Sequence, residues 1–341
     1  MAGTHEGSAW GSVPRRTIVV GLADDAASWA ALDWALARAA REGAAVRAVR
    51  AVPAGDPDGL TTGCSGGSDR LVVEVEDGAL RRLAARAARA VGVRDAPPVS
   101  LSWSRGRGRD VLVAAAVGAD AVVVGRPVHL GRTVRALLER VACPVTAVDP
   151  GDAPTEETAG GRNRHVVVGV DASAGPSGET EASLAEALRR TRDGDRVTVV
   201  AGFDPAPVRS DWPRGYRPTP TVDEQLRTVR EATRALVDPA VERCRRAGAD
   251  RGVTVDVIAW PEEPRRAVLG AARSLRADEV LVPRGGVWSP RALWRLVRTA
   301  PCAVTAVSAP LPVETPVTPT ITPPRSAPAR GDVAVSGAGA H

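Results

Sequence analysis

The chain repeats itself. Ala119-Asp120-Ala121-Val122-Val123-Val124-Gly125 returns as Ala277-Asp278-Glu279-Val280-Leu281-Val282-Pro283. Shortly afterwards Ala142-Cys143-Pro144-Val145-Thr146-Ala147-Val148 returns as Pro301-Cys302-Ala303-Val304-Thr305-Ala306-Val307. Near each start, Ile18-Val19-Val20-Gly21 is matched by Val166-Val167-Val168-Gly169, and Trp103 and Trp260 each close an alternating apolar run. Like elements in one order, at a nearly constant offset of roughly 150–160 residues, mark a duplication. Each half must therefore reach the same fold, and 341 residues exceed the size at which one hydrophobic core stops growing.

Within each half, short β-branched runs alternate with helical periodicity, the pattern of βαβ units around a mostly parallel sheet. In the first half, strands are expected at 17–22, 44–52, 99–104, 120–125 and 144–149. Leu32, Ala35, Leu36 and Ala39 mark one face of a first helix. Leu80, Leu83, Ala84, Ala87 and Val91 mark a second, and further helices fit 107–118 and 131–142. The second half repeats this with strands near 164–170, 195–202, 253–259, 278–283 and 303–308. Its helix over about 219–248 contains Pro239, which is expected to kink or break it. Right-handed crossovers then give two Rossmann-like, doubly wound α/β/α domains, each with a five-stranded mostly parallel sheet. The expected organisation is a flexible N-terminus (1–14), domain 1 (15–149), a linker (150–163), domain 2 (164–309) and a disordered Pro/Thr-rich tail (310–341).

Composition narrows the function. Aromatics are only 3%, so the cores must be built from Val, Leu and Ala, which suits buried parallel strands. All 45 basic residues are arginine and the net charge is +5, but the arginines alternate with acids and no basic stripe interleaved with aromatics stands out. Nucleic acid is therefore not an expected partner. The four cysteines, Cys64, Cys143, Cys244 and Cys302, lack disulfide or zinc spacing, and no metal site is expected. No apolar stretch approaches a membrane span, and the first residues lack a signal-peptide core. The expectation is a cytoplasmic protein with reduced thiols.

The segments IVVGLADDAASWAALDWALARAA, GRDVLVAAAVGADAVVVG and ERVACPVTAV, followed in the second half by VVVGVDAS, RRAVLGAARSLRADEVLV and APCAVTAV, resemble the universal stress protein family in its tandem form. The resemblance covers roughly 15–149 and 164–309. It implies an ATP site at the carboxyl ends of the strands, near the topological switch point. Such a site needs an Asp after strand one and a Gly-x2-Gly-x9-Gly-[Ser/Thr] loop after strand four, whose glycines let the backbone approach phosphates.

Against that pattern both halves depart. The first has Ala23 at the Asp position, with Asp24 and Asp25 displaced, and a displacement of one residue turns a side chain to the other face. Its loop, Gly125-Arg126-Pro127-Val128-His129-Leu130-Gly131-Arg132, lacks the middle glycine and is about seven residues short of the family spacing. The second half keeps Asp171, but its loop runs Pro283-Arg284-Gly285-Gly286-Val287-Trp288-Ser289-Pro290. The candidate cofactor-binding residues are therefore Asp171, Arg284, Gly285 and Gly286. Arg126 with Arg132, and Arg284 with Arg291, could form small anion sites, though the abundance of arginine makes coincidence the better account.

No catalytic constellation is found. His129 has no counterpart in the second half, Ser28, Ser173 and Ser177 lie in no nucleophile elbow, and Cys143 and Cys302 fit buried structural positions. Cys64-Ser65-Gly66-Gly67-Ser68-Asp69 superficially resembles a nucleotide α-hydrolase loop but does not follow strand one. The expected function is a non-enzymatic stress-response or regulatory protein with degenerate nucleotide sites, without a bound cofactor, acting through an unknown protein partner. The alternative is an ATP/AMP-binding regulator using the second domain. Since family members pair through strand five, the halves are expected to form an intramolecular pseudo-dimer, with a homodimer also possible. Pro144 confines that strand's start to an edge or first position.

Overall fold

A computed structural model describes residues 16–23, 25–52, 85, 97–126, 132–152, 163–171, 178–204, 221–246 and 252–308. The expected N-terminus, most of the linker, the tail, and the first half's second helix apart from Ala85 lie outside the described residues.

In the first half the order is β1 (Thr17–Leu22), α1 (Ala26–Glu42), β2 (Ala45–Val52), β3 (Val99–Arg105), α2 (Gly108–Ala115), β4 (Ala121–Gly125), α3 (Arg132–Arg140) and β5 (Val145–Val148). The second half follows with β6 (His165–Val170), α4 (Gly178–Arg190), β7 (Arg196–Gly202), α5 (Val222–Arg246), β8 (Thr254–Trp260), α6 (Pro264–Ser274), β9 (Glu279–Pro283), α7 (Pro290–Thr299) and β10 (Ala303–Val307). The strands agree with their sequence-based placement to within about two residues, the usual scatter at element ends.

All ten strands belong to one sheet, in the order β3-β2-β1-β4-β5-β10-β9-β6-β7-β8. Pairing is parallel within each half and antiparallel only at the centre, where Val304, Thr305 and Ala306 stand opposite Ala147, Thr146 and Val145. The edge strands β5 and β10 are thus hydrogen-bonded to each other, which leaves β3 and β8 as the edges of the sheet. Pro144 precedes β5, where its missing N–H costs the ladder nothing, and its carbonyl accepts from Val122 N.

The two faces of the sheet are built differently. On one, α2, α3, α6 and α7 cover a single apolar cluster that runs through both halves, including Val122, Val145, Val280 and Val304. On the other, α1 and the pair α4 and α5 cover two separate clusters. Helix α1 begins at Asp25, whose side chain accepts from Ser28 N, and ends at Gly43 in the left-handed conformation (φ +64°).

Helix α5 runs through Pro239 as one helix, so the expected break does not occur. The proline is exposed, so the carbonyl it leaves without an N–H partner can be solvated. The opposite face (Thr233, Val237, Ala240, Val241) is buried against the sheet and holds the axis together.

Candidate functional site

The carboxyl ends of β1 and β4 in the first half, and of β6 and β9 in the second, form the two crevices where such a sheet receives ligands. In the second half Asp171 follows β6 directly. Beyond β9 the chain makes a tight turn in which Trp288 N donates to Gly285 O at 2.9 Å. Gly285 (φ +134°) and Gly286 (φ +54°) both take conformations that disfavour a side chain. A Cβ on Gly286 would stand 3.2 Å from Asp171 Oδ2, and one on Gly285 would stand 3.0 Å from Glu179 Oε1. Asp171, Gly285 and Gly286 are therefore brought together, and Glu179, from the first turn of α4, joins them. Sequence reasoning missed Glu179 because the residues linking β6 to α4 follow no motif.

Trp288 closes the floor of this crevice. It is buried, and a Cβ on Gly169 would meet its Cζ2 at 2.8 Å. The indole lies against Gly169 of β6, and among the described residues its buried Nε1 has no hydrogen-bond partner. Only a glycine at position 169 leaves room for it.

Arg284 lies elsewhere. Its guanidinium crosses to the first half, donating from Nη2 to Cys143 O at 2.9 Å and from Nη1 to Val141 O. Arg126 does the same in reverse, donating from Nη1 to Val297 O at 2.7 Å and Ala300 O at 3.0 Å. Each arginine after a fourth strand thus engages the carbonyls at the C-terminal end of the opposite half's last helix, where the helix dipole favours a cation. The two arginines make reciprocal contacts across the seam. Burial pushes the Arg284 guanidinium down to about 10, an effect that nearby Cys143 partly opposes.

In the first half the end of β4 is packed against the start of α1. Ser28 Oγ donates to Ala23 O at 2.7 Å, and Asp25 is occupied as the cap of α1. A Cβ on Gly125 would fall 2.4 Å from the Ala27 carbonyl carbon, so the first turn of α1 rests directly on the end of β4. Asp24, His129 and Gly131 lie outside the described residues, as do Ser173, Ser177 and the Cys64–Asp69 run.

At the seam, on the α1/α4 face, Thr146 and Thr305 share a hydrogen bond of 2.8 Å. Around them Arg38 pairs with Glu42 (2.7 Å) and Glu186 (3.0 Å), while Arg190 pairs with Glu186 and with Glu279, which also accepts from Thr305 Oγ1 (2.6 Å) and Arg164 (3.2 Å). Burial alone would raise these carboxyls, yet the surrounding guanidinium groups outweigh it and hold Glu42 and Glu186 down at about 2. The sequence pattern concealed this cluster, because its members lie far apart along the chain.

Among the other predicted residues, Cys143 is half-buried and Cys302 buried, and burial raises both thiols, that of Cys143 to about 11. Trp260 packs near Gly270 at the outer edge of the sheet, away from the seam. A cavity of about 780 Å³ lies beneath α5, at the amino ends of β6–β8, lined by His165, Arg196, Arg234 and Val237 among others. No group of metal-ligating side chains occurs among the described residues, and none of their helices is long and apolar enough to cross a membrane.

Comparison with known proteins places the first half. Residues 14–149 match the model of the universal stress protein family. This part of the chain is thus similar to universal stress protein domains. A universal stress protein from Archaeoglobus fulgidus DSM 4304 shares the fold of both halves, at 12% identity and a TM-score of 0.53, covering 87% of this chain and 98% of its own. A universal stress protein solved in complex with cAMP is 26% identical over 39% of this chain and 96% of its own (TM-score 0.31). A family member from Arabidopsis thaliana with AMP bound is 14% identical over 42% and 99% (TM-score 0.29). No curated protein matches the chain in sequence. The second half repeats the strand order of the first about the central antiparallel pair.

Proposed function

We propose that this chain is a non-enzymatic regulatory protein of the stress response in which the family's nucleotide sites have closed and which acts through contacts with another protein. The observation that carries this reading is the second-half crevice. The Gly285-Gly286 turn, where phosphates would lie, is bordered by the carboxylates of Asp171 and Glu179, and like charges within a few ångströms repel. The arginine that could have offset them, Arg284, is engaged by the first half. In the first half, the contact of α1 with Gly125 and the use of Asp25 as a cap support the same reading.

Calorimetric titration of the whole chain with ATP, AMP and cAMP tests it. The expected outcome is no binding up to millimolar ligand. Micromolar binding that Asp171→Ala abolishes would instead establish the second reading, an ATP/AMP-binding regulator using the second half. The closeness of Asp171 to Gly286 favours that alternative, since a carboxylate there could accept from ribose hydroxyls.

A further inference from the structure

We propose that the outer face of α6 and α7 is the docking surface for an acidic segment of a partner protein, a proposal that rests on the reading of this chain as acting through protein contacts. Arginines and acids are nearly balanced over the whole sequence, 45 against 40. Helix α5 mixes the two signs along its length. Helices α6 and α7 do not: they carry Arg265, Arg266, Arg273, Arg291, Arg295 and Arg298 and contain no Asp or Glu at all. Arg276 adds a further charge just beyond the end of α6.

The arrangement is directional. Arg291, Arg295 and Arg298 stand at i, i+4 and i+7, so they form one row along α7, opposite the buried Leu293, Leu296 and Val297. Arg266 and Arg273 form a second row on α6, also seven residues apart and exposed. The helices are joined where Arg273 Nη2 reaches Thr299 O at 3.4 Å. Among the described residues no ion pair neutralises Arg266, Arg276, Arg291, Arg295 or Arg298. On the adjoining α3, by contrast, Arg135 is paired with Glu139 at 2.8 Å.

The chemistry of this face selects its occupant. Guanidinium rows with a spacing of about 5–6 Å between neighbours match carboxylates at i, i+3 and i+4 on a partner helix. Trp294 lies among them, half-buried, and Arg and Trp are the residue types that dominate protein interfaces. One face of its ring is covered by the Arg298 guanidinium at 4.7 Å, which reduces the surface on which a nucleic acid base could stack. Neither helix exposes a large apolar side chain for insertion into lipid. Two adjacent helices, each about 15 Å long, offer a footprint for one short segment.

The test uses the full chain and four probes: a 15-residue glutamate-rich peptide, its glutamine counterpart, a single-stranded oligonucleotide and phosphatidylserine vesicles. Binding is followed by fluorescence anisotropy of labelled peptide or oligonucleotide and by vesicle sedimentation. The acidic peptide is expected to bind best. Its affinity should fall at least roughly tenfold in Arg291→Glu/Arg295→Glu/Arg298→Glu, and also with rising salt, since exposed charges are screened. The same reversal on the mixed-charge helix, Arg227→Glu/Arg230→Glu, should leave it unchanged. Equal loss in both variants, or tighter binding to the oligonucleotide or vesicles than to the peptide, overturns the proposal. Circular dichroism separates loss of binding from loss of folding, and the single variant Arg295→Gln, expected to weaken binding about threefold, serves if the triple variant does not fold. Nucleotide titrations run alongside report separately on the closed crevices, whatever the peptide does.

Discussion

The two halves share one strand order but pack the carboxyl ends of their strands differently. In the first, helix α1 starts immediately after β1 and its opening turn rests on Gly125. In the second, α4 starts farther from β6, Pro283 stands where Gly125 does, and Trp288 fills the space beside Gly169. At Gly125 the neighbour is backbone, and at Gly169 it is side chains. Either solution preserves the sheet, which shows how loosely the ligand pocket of such a fold is tied to its core.

The largest effect is expected at a position that distinguishes the halves. Glu279 and Ala121 are equivalent, each the first residue of its strand and paired with Val166 and Ile18. Glu279→Ala makes the second half resemble the first but leaves Arg190 and Arg164 without their buried carboxylate, at a cost of about 3–5 kcal/mol. Chemical denaturation should show it, and a loss below about 1 kcal/mol would mean that the seam does not depend on the cluster. Acid should act through the same groups. Glu42 and Glu186 are held down at about 2, so the stability they contribute is present above the unfolded range near 4.5 and is lost as pH falls toward 2. Thermal unfolding between pH 6 and pH 2 should show a steep decline that begins below about 4.5, and a flat profile would contradict it.

Next comes the tight contact of the first half. Gly125→Ala places a methyl group against backbone that cannot yield as a side chain can, and should cost about 3 kcal/mol, at the upper end for overpacking. Gly169→Ala meets only side chains of Trp288, Val268 and Val282 and should cost less. If the two proved equal, the contrast between backbone and side-chain closure would fail. The reciprocal arginines should be balanced instead. Arg126→Met and Arg284→Met are each expected to cost about 2 kcal/mol, the range for charge-assisted hydrogen bonds. A large inequality would show that one half carries the seam.

The smallest effect concerns His165, which burial and Arg196 keep deprotonated to lower pH than usual. Below about 6.5 the unfolded chain takes up a proton that the folded one does not, so stability should drift slightly downward there. His165→Gln should remove that drift, and an unchanged slope would place its origin elsewhere.

How much of this was legible in the sequence follows from the range of each interaction. The strands and most helices were readable because β-branched runs and helical spacing are local signals, and the duplication confirmed each one. Pro239 misled because its cost depends on which face it occupies, a tertiary fact. Of the candidate site, the closeness of Asp171 to Gly286 could be anticipated from the strand-end rule. Glu179 and the orientation of Trp288 could not, since no spacing encodes which side chain fills a crevice. Arg126 and Arg284 were noticed as a recurring pair, but their partners lie in the opposite half, about 140–170 residues away, where pattern reading does not reach.

The junction of β5 with β10 has one more consequence. In a symmetric dimer of separate chains every substitution appears twice, once on each side of the axis, so a residue near that axis must tolerate its own copy. Joining the halves in one polypeptide removes that restriction. A glutamate can stand at 279 while an alanine stands at 121, and α6 and α7 can lack acids while α2 and α3 carry Asp110 and Glu139. The partnership is also independent of concentration, since dilution cannot separate halves that share a chain.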